Sequence, residues 1–485
     1  MEPNDTDQGA LGNCWLMAGI AGLVEEQPDQ KNGYRIKALF GLDGNLTYGN
    51  DVGAYVNRLN RAGVWKYVVV DDYLPVCDKS LKPMFATNKQ EDNELWVAIL
   101  EKAFAKVYGS YGNLQNGRTL QAVTEMTQDP STAFVFDKAT ELVRLSDAAK
   151  PGSWDEEEDS EDEDGPLEMN LDSFFAKLTQ WDEQRFVMCL STPGKDMSGY
   201  MDRKAESHEI AKLHKMYQRM GLETGHAYTL LGVRRVNAMN GNEYRLLQIR
   251  NPWGNARGEF RGDFGDNSPL WDQIHEHDKE AMGYTKQDDG IFWMTLNDVF
   301  KYFCRGGVSF VMDSKSTLSC RGLCLEDFGP TFAIHLKNNT PGAQITTMVS
   351  QIPARGKGST QDLLGLKLRL LQRRDGDKYE CPTNGHHIWE TNCLLRSDVG
   401  SAFALEKGEY ILTAATRFQR RGKFTLTVHT GPNVKCDMQP FKIGRDCSKA
   451  RFLNAGKMFS GCTHRPFSID VRCRVHEDDV DQYHY

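Results

Sequence analysis

The chain has 485 residues, of which 40% are hydrophobic and 26% are charged, and its formal net charge is −9. These values exclude a disordered or fibrous protein, and the length predicts about two to four folded domains. Nine of the acidic residues lie in the single run 155–164, so the rest of the chain is close to neutral and lacks the basic stripe that nucleic-acid binding requires.

Residues 1–150 predict a first lobe that contains two helices. Apolar residues at helical spacing predict one helix that begins near Cys14 and stops before Pro28. A second helix is predicted over residues 94–108, where Asn93 can cap its start and Gly109 can end it. The valines at 68–70 predict a short strand between the two helices.

The composition changes sharply after residue 150. Residues 151–166 are acidic with almost no apolar side chains, which predicts a solvated surface loop; binding of cations or of a basic surface is the alternative. The region 167–315 then predicts a strand-rich second lobe. Its predicted elements are a helix at 171–178 and strands at 185–190, 227–233, 244–249 and 291–294.

Residues 325–475 predict a third kind of structure, with short strands separated by turns and no helix between them. This pattern is typical of an antiparallel β-sandwich. The acidic tail at 476–485 is expected to fray. The predicted strands lie at 331–336, 344–349, 366–371, 410–415, 423–429 and 467–471.

The twelve cysteines indicate a reducing compartment. They lack the dense, regular spacing of a disulfide framework, and no charged-then-apolar leader precedes them. No apolar stretch reaches the 18 residues that a membrane-spanning helix requires. We therefore expect a cytoplasmic protein with reduced thiols and no transmembrane helix.

A possible nucleophile stands at the start of the first predicted helix. Cys14 follows the segment 8–13, and a helix N-terminus stabilises a thiolate through its dipole and its free backbone N–H groups. The side chain of Gln8 can place a donor beside the Cys14 backbone N–H, which is the arrangement of an oxyanion hole. Most cysteines at helix starts are structural, so this interpretation requires a partner base.

The second lobe contains that base and a group to orient it. His226 precedes one predicted strand and Asn251 follows the next. A catalytic thiol requires an imidazole to take its proton and a third group to hold the ring in one tautomer. Trp253 can shield the His226–Asn251 hydrogen bond from water. Each residue alone is ordinary, but together with Cys14 they predict a thiol protease.

These motifs resemble the calpains, papain-like cysteine proteases regulated by calcium, over nearly the whole chain. The resemblance implies an α+β fold, in which a two-lobed papain-like catalytic core is followed by an antiparallel calpain-type β-sandwich. Family members carry a longer first-lobe segment before the nucleophile, so we expect this chain to be N-terminally short. The motifs that carry the resemblance lie at 8–16, 93–96, 100–106, 225–228 and 250–254. The segments 408–411 and 422–426 match the β-sandwich of the family.

The resemblance also implies roles for single residues. Cys14 matches the nucleophile, His226 the general base and acid, Asn251 the orienting residue and Gln8 the oxyanion donor. Asn13 replaces the Asp that family members usually carry directly before the nucleophile.

Two Ca²⁺ sites are implied as well, because carboxylate oxygens are the ligands that Ca²⁺ selects. Asp5 and Glu94 fall at ligand positions of a first-lobe site. Ligand positions of a second-lobe site fall on Glu259, Asp266 and Asp289, if the loop after Trp253 carries two extra residues. Ile291 stands where a further acidic ligand is usual.

The expected function is an intracellular calcium-dependent cysteine endopeptidase that makes limited cleavages in proteins. The alternative is a catalytically weak or inactive calpain-like scaffold that binds partners. No EF-hand pattern follows the sandwich, so no small-subunit partner is implied. A transglutaminase-like enzyme usually orients its base with Asp, so the presence of Asn251 at the orienting position argues against that class.

A basic cluster predicts either contact with acidic phospholipid through the sandwich or simple solvation. The cluster consists of Arg417, Arg420, Arg421 and Lys423.

Overall fold

The described part of the chain forms two compact units in the computed structural model. The first unit contains described residues of 6–60, 65–145 and 167–311, and the second contains 61–64 and 312–442. The acidic segment 151–166, the predicted strand 467–471, the tail 476–485 and Asp5 lie outside the described residues. The structure describes residues 6–25, 34–41, 52–78, 83–88, 94–145, 167–195, 207–254, 259–287, 289–313, 315–325, 329–330, 332–352, 363–373, 386–391, 397–416 and 422–442.

The first unit contains all the described α-helices. The predicted helix start at Cys14 is confirmed. The second predicted helix begins at Trp96 and ends, as predicted, at Gly109, whose φ of 93° is the left-handed conformation that glycine adopts without strain. The helices are α1 (Cys14–Val24), α2 (Tyr34–Lys37), α3 (Trp96–Tyr108), α4 (Thr119–Thr127), α5 (Leu171–Glu183), α6 (Ser207–Arg219), α7 (Glu276–Ala281) and α8 (Leu296–Tyr302).

The strands of the first unit form one large antiparallel sheet and two small ones. The eight-stranded sheet has the order β11-β10-β9-β8-β12-β5-β6-β7, while β1 pairs with β4 and β2 with β3. The strands are β1 (Thr6–Asp7), β2 (Ala54–Arg61), β3 (Val64–Asp71), β4 (Thr87–Asn88), β5 (Ser131–Asp137), β6 (Leu142–Leu145), β7 (Leu167–Met169), β8 (Val187–Ser191), β9 (Ala227–Asn237), β10 (Glu243–Arg250), β11 (Ile291–Thr295) and β12 (Arg305–Ser309).

The large sheet crosses the predicted boundary between the lobes. Strands β5 and β6 precede residue 150, yet β5 pairs with β12 and β6 pairs with β7. Along β5, Thr132, Phe134 and Phe136 are buried and alternate with less buried residues, which is the period of a strand with one face in the core. The boundary drawn at residue 150 therefore cuts through this sheet.

Helix α1 is buried on every side, as a helix without a polar face must be. Every residue from 15 to 24 is buried. A Cβ on Gly22 would lie 2.7 Å from Val187 Cγ1, so the missing side chain lets α1 approach β8 closely. The Thr229 hydroxyl on β9 donates a 2.8 Å hydrogen bond to the Ala18 carbonyl. These contacts fix α1, and with it Cys14, against the start of β9.

The second unit is a sandwich of two five-stranded antiparallel sheets, with the orders β14-β13-β21-β16-β19 and β18-β17-β20-β15-β22. Both sheets contribute to one buried cluster, for example Val428 from the first and Leu412 from the second. The predicted α+β fold is confirmed. The strands are β13 (Ser316–Leu325), β14 (Gly329–Pro330), β15 (Phe332–Asn338), β16 (Ala343–Ser350), β17 (Leu366–Arg373), β18 (His386–Glu390), β19 (Asp398–Leu405), β20 (Gly408–Thr416), β21 (Gly422–Thr430) and β22 (Cys436–Lys442).

Among the described residues, Cys14, Cys189, Cys304, Cys320 and Cys436 are free thiols. Within the described ranges, no helix combines the length and the apolar character needed to cross a bilayer.

Candidate active site

Two neighbouring strands bring the predicted base and its orienting residue together. Strands β9 and β10 are antiparallel, with Thr229 opposite Arg250. His226 directly precedes β9 and Asn251 directly follows β10, so both residues lie at the same end of the strand pair. The His226 Nε2–H donates a 2.8 Å hydrogen bond to Asn251 Oδ1. In this tautomer Nδ1 carries a lone pair and can accept a proton.

Asn251 is itself held in place by the backbone around it. Its side chain is fully buried, and Oδ1 also accepts a 3.1 Å hydrogen bond from the Trp253 backbone N–H. Its own N–H donates to the Gly290 carbonyl at 2.8 Å. The amide oxygen of Asn251 is therefore directed at the imidazole, and this orientation fixes the tautomer of His226.

Two aromatic rings enclose the His226 imidazole. The centroids of the Trp253 and Tyr228 rings both lie 4.9 Å from that of the imidazole, and His226 is only 6% exposed. Burial lowers the pKa of His226 to about 4, against the opposing effect of the Asn251 hydrogen bond. The resting imidazole is neutral at pH 7.

This lowered pKa makes stability depend on pH. An unfolded histidine takes up a proton near pH 6.5, whereas the folded one does not until about pH 4. The unfolded state therefore binds more protons between these values, and the free energy of unfolding should fall by on the order of 3 kcal/mol as the pH falls through this range. Urea unfolding of the wild type and of His226→Gln from pH 4 to pH 8 measures this contribution as a difference. Parallel pH curves for the two proteins would contradict it.

The Cys14 thiol lies at the start of α1, against the first residue of β9. Burial raises the pKa of the Cys14 thiol, and the nearby backbone N–H groups of Ala227, Trp15 and Cys14 itself offset only part of this effect. Because Ala227 is adjacent to His226, the thiol and the imidazole belong to one site. Burial disfavours the charged form of each group, so both are neutral at rest.

Gln8 lies in the loop that leads to Cys14. Its Nε2 donates a 2.6 Å hydrogen bond to the Leu11 carbonyl, and its backbone N–H donates to the Pro252 carbonyl at 3.2 Å. The second N–H of the amide remains for another acceptor. Residues 7–12 and Trp253 line a surface concavity of about 390 Å³. Gln8, Cys14, His226 and Asn251 are thus gathered in one region of the first unit.

The acidic residues expected to bind calcium form two separate groups. Glu94 Oε2 accepts hydrogen bonds from Asn88 Nδ2 at 2.6 Å and from Trp96 Nε1 at 2.9 Å. The other residue expected at this site, Asp5, lies outside the described residues.

The second group gathers three carboxylates beside the Asn251 segment. Glu259 Oε1 accepts the backbone N–H groups of Asp289 and Gly290 at 3.2 and 2.8 Å. Burial, followed by the charges of Glu259 and Asp289, raises the pKa of Asp266 to about 7. Three carboxylates placed this close together suit a hard divalent cation. In the described parts of the chain, however, no three acidic, His or Cys side chains already converge on a metal position.

Two buried charged residues near this site were assigned no role by the sequence analysis. Arg250 is fully buried, and its Nη2 donates a 2.7 Å hydrogen bond to the Thr6 carbonyl, which joins β10 to β1. Glu101 is 1% exposed within α3. The sequence contained one feature that could have identified them: each is a charged side chain inside an otherwise apolar segment. Such side chains are almost never buried without a partner, so each indicates a specific contact.

Comparisons with known proteins identify the family of the chain. The profile of the calpain family cysteine proteases matches residues 1–308. The calpain-type cysteine protease DEK1 of Zea mays is 31% identical over 300 residues, covering 62% of this chain and 11% of the maize protein. Calpain-8 of Rattus norvegicus is 28% identical over 509 residues, covering 96% of this chain and 62% of the rat protein.

A third relative, Calpain-A of Drosophila melanogaster, is 30% identical over 306 residues, which are 62% of this chain and 30% of the fly protein. The chain therefore spans less than two thirds of the length of each of these relatives. The profile match, in contrast, covers more than half of the chain and includes Cys14, His226 and Asn251. The chain belongs to the calpain family of cysteine proteases.

Proposed function

We propose that this chain is a calcium-dependent cysteine endopeptidase that cleaves cytoplasmic proteins by a Cys-His-Asn mechanism. The observation that carries the proposal is the neutral His226, which donates from Nε2 to Asn251 while the Cys14 thiol lies against the adjacent Ala227 N–H. This arrangement leaves Nδ1 as the proton acceptor for the thiol. This arrangement of base, orienting group and nucleophile supports thiol catalysis.

The proposed reaction begins with transfer of the Cys14 proton to His226 Nδ1. The thiolate attacks the peptide carbonyl carbon, and the Cys14 backbone N–H and the free N–H of Gln8 stabilise the oxyanion. His226 then protonates the leaving amine as the C–N bond breaks, which leaves an acyl group on Cys14. Water, deprotonated by His226, attacks the thioester carbonyl carbon. The C–S bond then breaks, the Cys14 sulfur takes the proton back from His226, and the carboxylic acid product leaves.

Calcium fits the donor set of the second acidic group. Glu259, Asp266 and Asp289 would hold the ion there, and Glu94 with Asp5 would hold the one in the first lobe. The ion would supply positive charge that offsets the repulsion among the carboxylates. Glu259 holds the Gly290 N–H, and the Gly290 carbonyl holds the Asn251 N–H. Through these two hydrogen bonds, the conformation of this acidic group is linked to that of Asn251, the residue that orients His226.

The calcium requirement is tested by cleavage of a quenched-fluorescence protein substrate during a Ca²⁺ titration followed by chelation. Chelation should stop cleavage by the wild type. In Asp266→Asn/Asp289→Asn, the Ca²⁺ concentration for half-maximal rate should rise at least about tenfold, because two carboxylate ligands are lost. The control is Asp272→Asn, an exposed acid in the same region, which should leave the midpoint unchanged.

Two outcomes would contradict parts of this proposal. Cleavage that survives chelation would overturn the calcium dependence. No cleavage at any Ca²⁺ concentration, by protein shown to be folded, would favour the alternative of a calpain-like binding scaffold. Contact of the sandwich with acidic phospholipid stays a prediction, since Arg417, Arg420 and Arg421 lie outside the described residues.

A further inference from the structure

Helix α6 carries a row of positive side chains on its solvent side. Lys212, Lys215 and Arg219 are all exposed. With about 100° of rotation and about 1.5 Å of rise per residue, they lie within about 60° of one another around the helix axis and span about 10 Å along it. The helix contains a single acidic residue, Glu209, against these three cations. We call Lys212, Lys215 and Arg219 the basic row.

Ion pairs do not neutralise the basic row in the part of the chain that the structure describes. The ion pairs found there involve none of its three residues. Glu223, in the turn that follows the helix, faces Lys195 and His214 instead. One unpaired surface cation is ordinary, but three on one side of a helix sum to a positive potential that attracts anionic groups.

The opposite side of α6 is fixed in the core of the first unit. Tyr217 is fully buried there, and its hydroxyl donates a 2.6 Å hydrogen bond to the Tyr302 carbonyl. The two tyrosine rings also pack edge to face, with their centroids 5.9 Å apart. These contacts set the rotation of the helix about its axis, so the basic row is held towards solvent.

The basic row lies close to the turn that carries the general base. The His214 Nε2–H donates to the Lys195 carbonyl at 2.7 Å, and Nδ1 accepts a 2.9 Å hydrogen bond from the Thr224 hydroxyl. Thr224 is two residues before His226, and Lys215 directly follows His214. A polypeptide bound across His226 therefore has the basic row within reach of its flanking residues.

We propose that the basic row binds an acidic segment of the protein substrate, outside the residues around the cleaved bond. The effect on cleavage rests on the proposed function, whereas binding of the segment does not. Along the helix axis the three cations are about 4.5 and 6 Å apart. Side chains on one face of an extended peptide recur about every 6.6 Å. Alternate acidic residues of an extended segment can therefore each approach one of the flexible cations.

A lipid surface fits α6 less well than an acidic peptide. A helix that lies on a membrane inserts its apolar side between the lipids. The apolar side of α6 is occupied instead, because Tyr217 packs into the protein core. None of the large apolar side chains that are exposed in the described ranges lies on α6. The helix thus offers charge without an apolar anchor, which suits an extended acidic chain.

Two quenched-fluorescence polypeptides test the basic row at saturating Ca²⁺. They share the sequence that the wild type cleaves and differ only in the segments on both sides of it. These segments carry Glu at alternate positions in one polypeptide and Gln in the other. The kcat and KM values for both are compared between the wild type and the triple variant Lys212→Gln/Lys215→Gln/Arg219→Gln. Thermal unfolding shows whether the variant is folded.

The matched control is Lys66→Gln/Lys407→Gln/Lys435→Gln, which removes the same number of positive charges at three other exposed positions. A second measurement does not depend on cleavage. Fluorescence anisotropy of the labelled Glu polypeptide gives its Kd for the Cys14→Ala protein, with and without the triple substitution.

In the wild type at low salt, the KM for the Glu polypeptide should be about tenfold below that for the Gln polypeptide, with the two kcat values within about twofold, because exposed ion pairs are individually weak but three act together. The triple variant should bring the two KM values to within about twofold of each other, and high salt should do the same in the wild type. The control variant should keep the wild-type difference.

A folded triple variant that keeps the full KM difference would overturn the proposal, and so would a wild type that shows none. Loss of binding to phosphatidylserine vesicles, with the KM difference unchanged, would assign the row to a lipid surface instead. If the triple variant fails to fold, Lys215→Gln alone decides, since it should reduce the difference at least about twofold.

If the wild type cleaves neither polypeptide, the proposed function fails, but the anisotropy measurement still tests the basic row. The Kd for the Glu polypeptide should then be about tenfold higher with the triple substitution than without it. Equal Kd values for the two proteins would contradict the proposal.

Discussion

Replacing Cys14 with alanine should lower the rate of peptide-bond hydrolysis on the order of 10⁵-fold, because removal of a catalytic nucleophile leaves only binding and oxyanion stabilisation. The thiol lies at the start of a fully buried helix, against the residue that follows His226. No covalent intermediate can form there without the sulfur. Initial rates of cleavage of a quenched-fluorescence protein, at saturating Ca²⁺, measure the loss.

The matched control for this variant is Cys77→Ala, since Cys77 is a partly exposed cysteine in the same unit, away from the start of α1. It should cleave at the wild-type rate. Retention of more than about 1% of the wild-type rate by Cys14→Ala would show that another group carries the reaction.

Replacing Asn251 with alanine should lower kcat about 10²- to 10³-fold. The His226 Nε2–H would lose its acceptor at 2.8 Å, and the ring would no longer be held in the tautomer that presents Nδ1 to the thiol. Asn251→Asp keeps an acceptor at the same place, so it should retain more activity than Asn251→Ala. Steady-state kinetics of the two variants, beside the wild type, give this order.

The control for Asn251→Ala is Asn242→Ala. Asn242 is exposed and directly precedes the first residue of β10, whereas Asn251 directly follows the last. Its kcat should match that of the wild type. An Asn251→Ala variant with unchanged kcat would mean that the His226–Asn251 hydrogen bond has no role in turnover.

The parts of the fold that depend on local signals were predictable from the sequence. The start of α1 at Cys14 and its stop after Val24 follow from apolar spacing, and the end of α3 follows from Gly109. The five predicted sandwich strands that fall within the described ranges lie close to β15, β16, β17, β20 and β21, whereas β13, β14, β18, β19 and β22 were not predicted. The convergence of His226 and Asn251 was also accessible, because residues that flank neighbouring antiparallel strands meet at one edge.

Features that depend on distant partners could not be predicted in this way. Strand β5 pairs with β12, which lies far along the chain, and nothing in either segment specifies that partner. Glu101 and Asn13 are 88 positions apart, so only the folded structure shows that an amide and a carboxylate meet behind Cys14. The pKa of Asp266 likewise depends on Glu259 and Asp289, which precede and follow it in the sequence and which the fold brings near it.

The covalent step can be observed by trapping. Acid quenching during hydrolysis of an activated peptide ester at saturating Ca²⁺, followed by peptide mapping in a mass spectrometer, identifies the residue that carries the acyl group. We expect the acyl group on Cys14 in the wild type, and none at this position in His226→Gln. An ester that turns over while Cys14 remains unmodified, or an acyl group on another residue, would contradict Cys14 as the nucleophile of this protein.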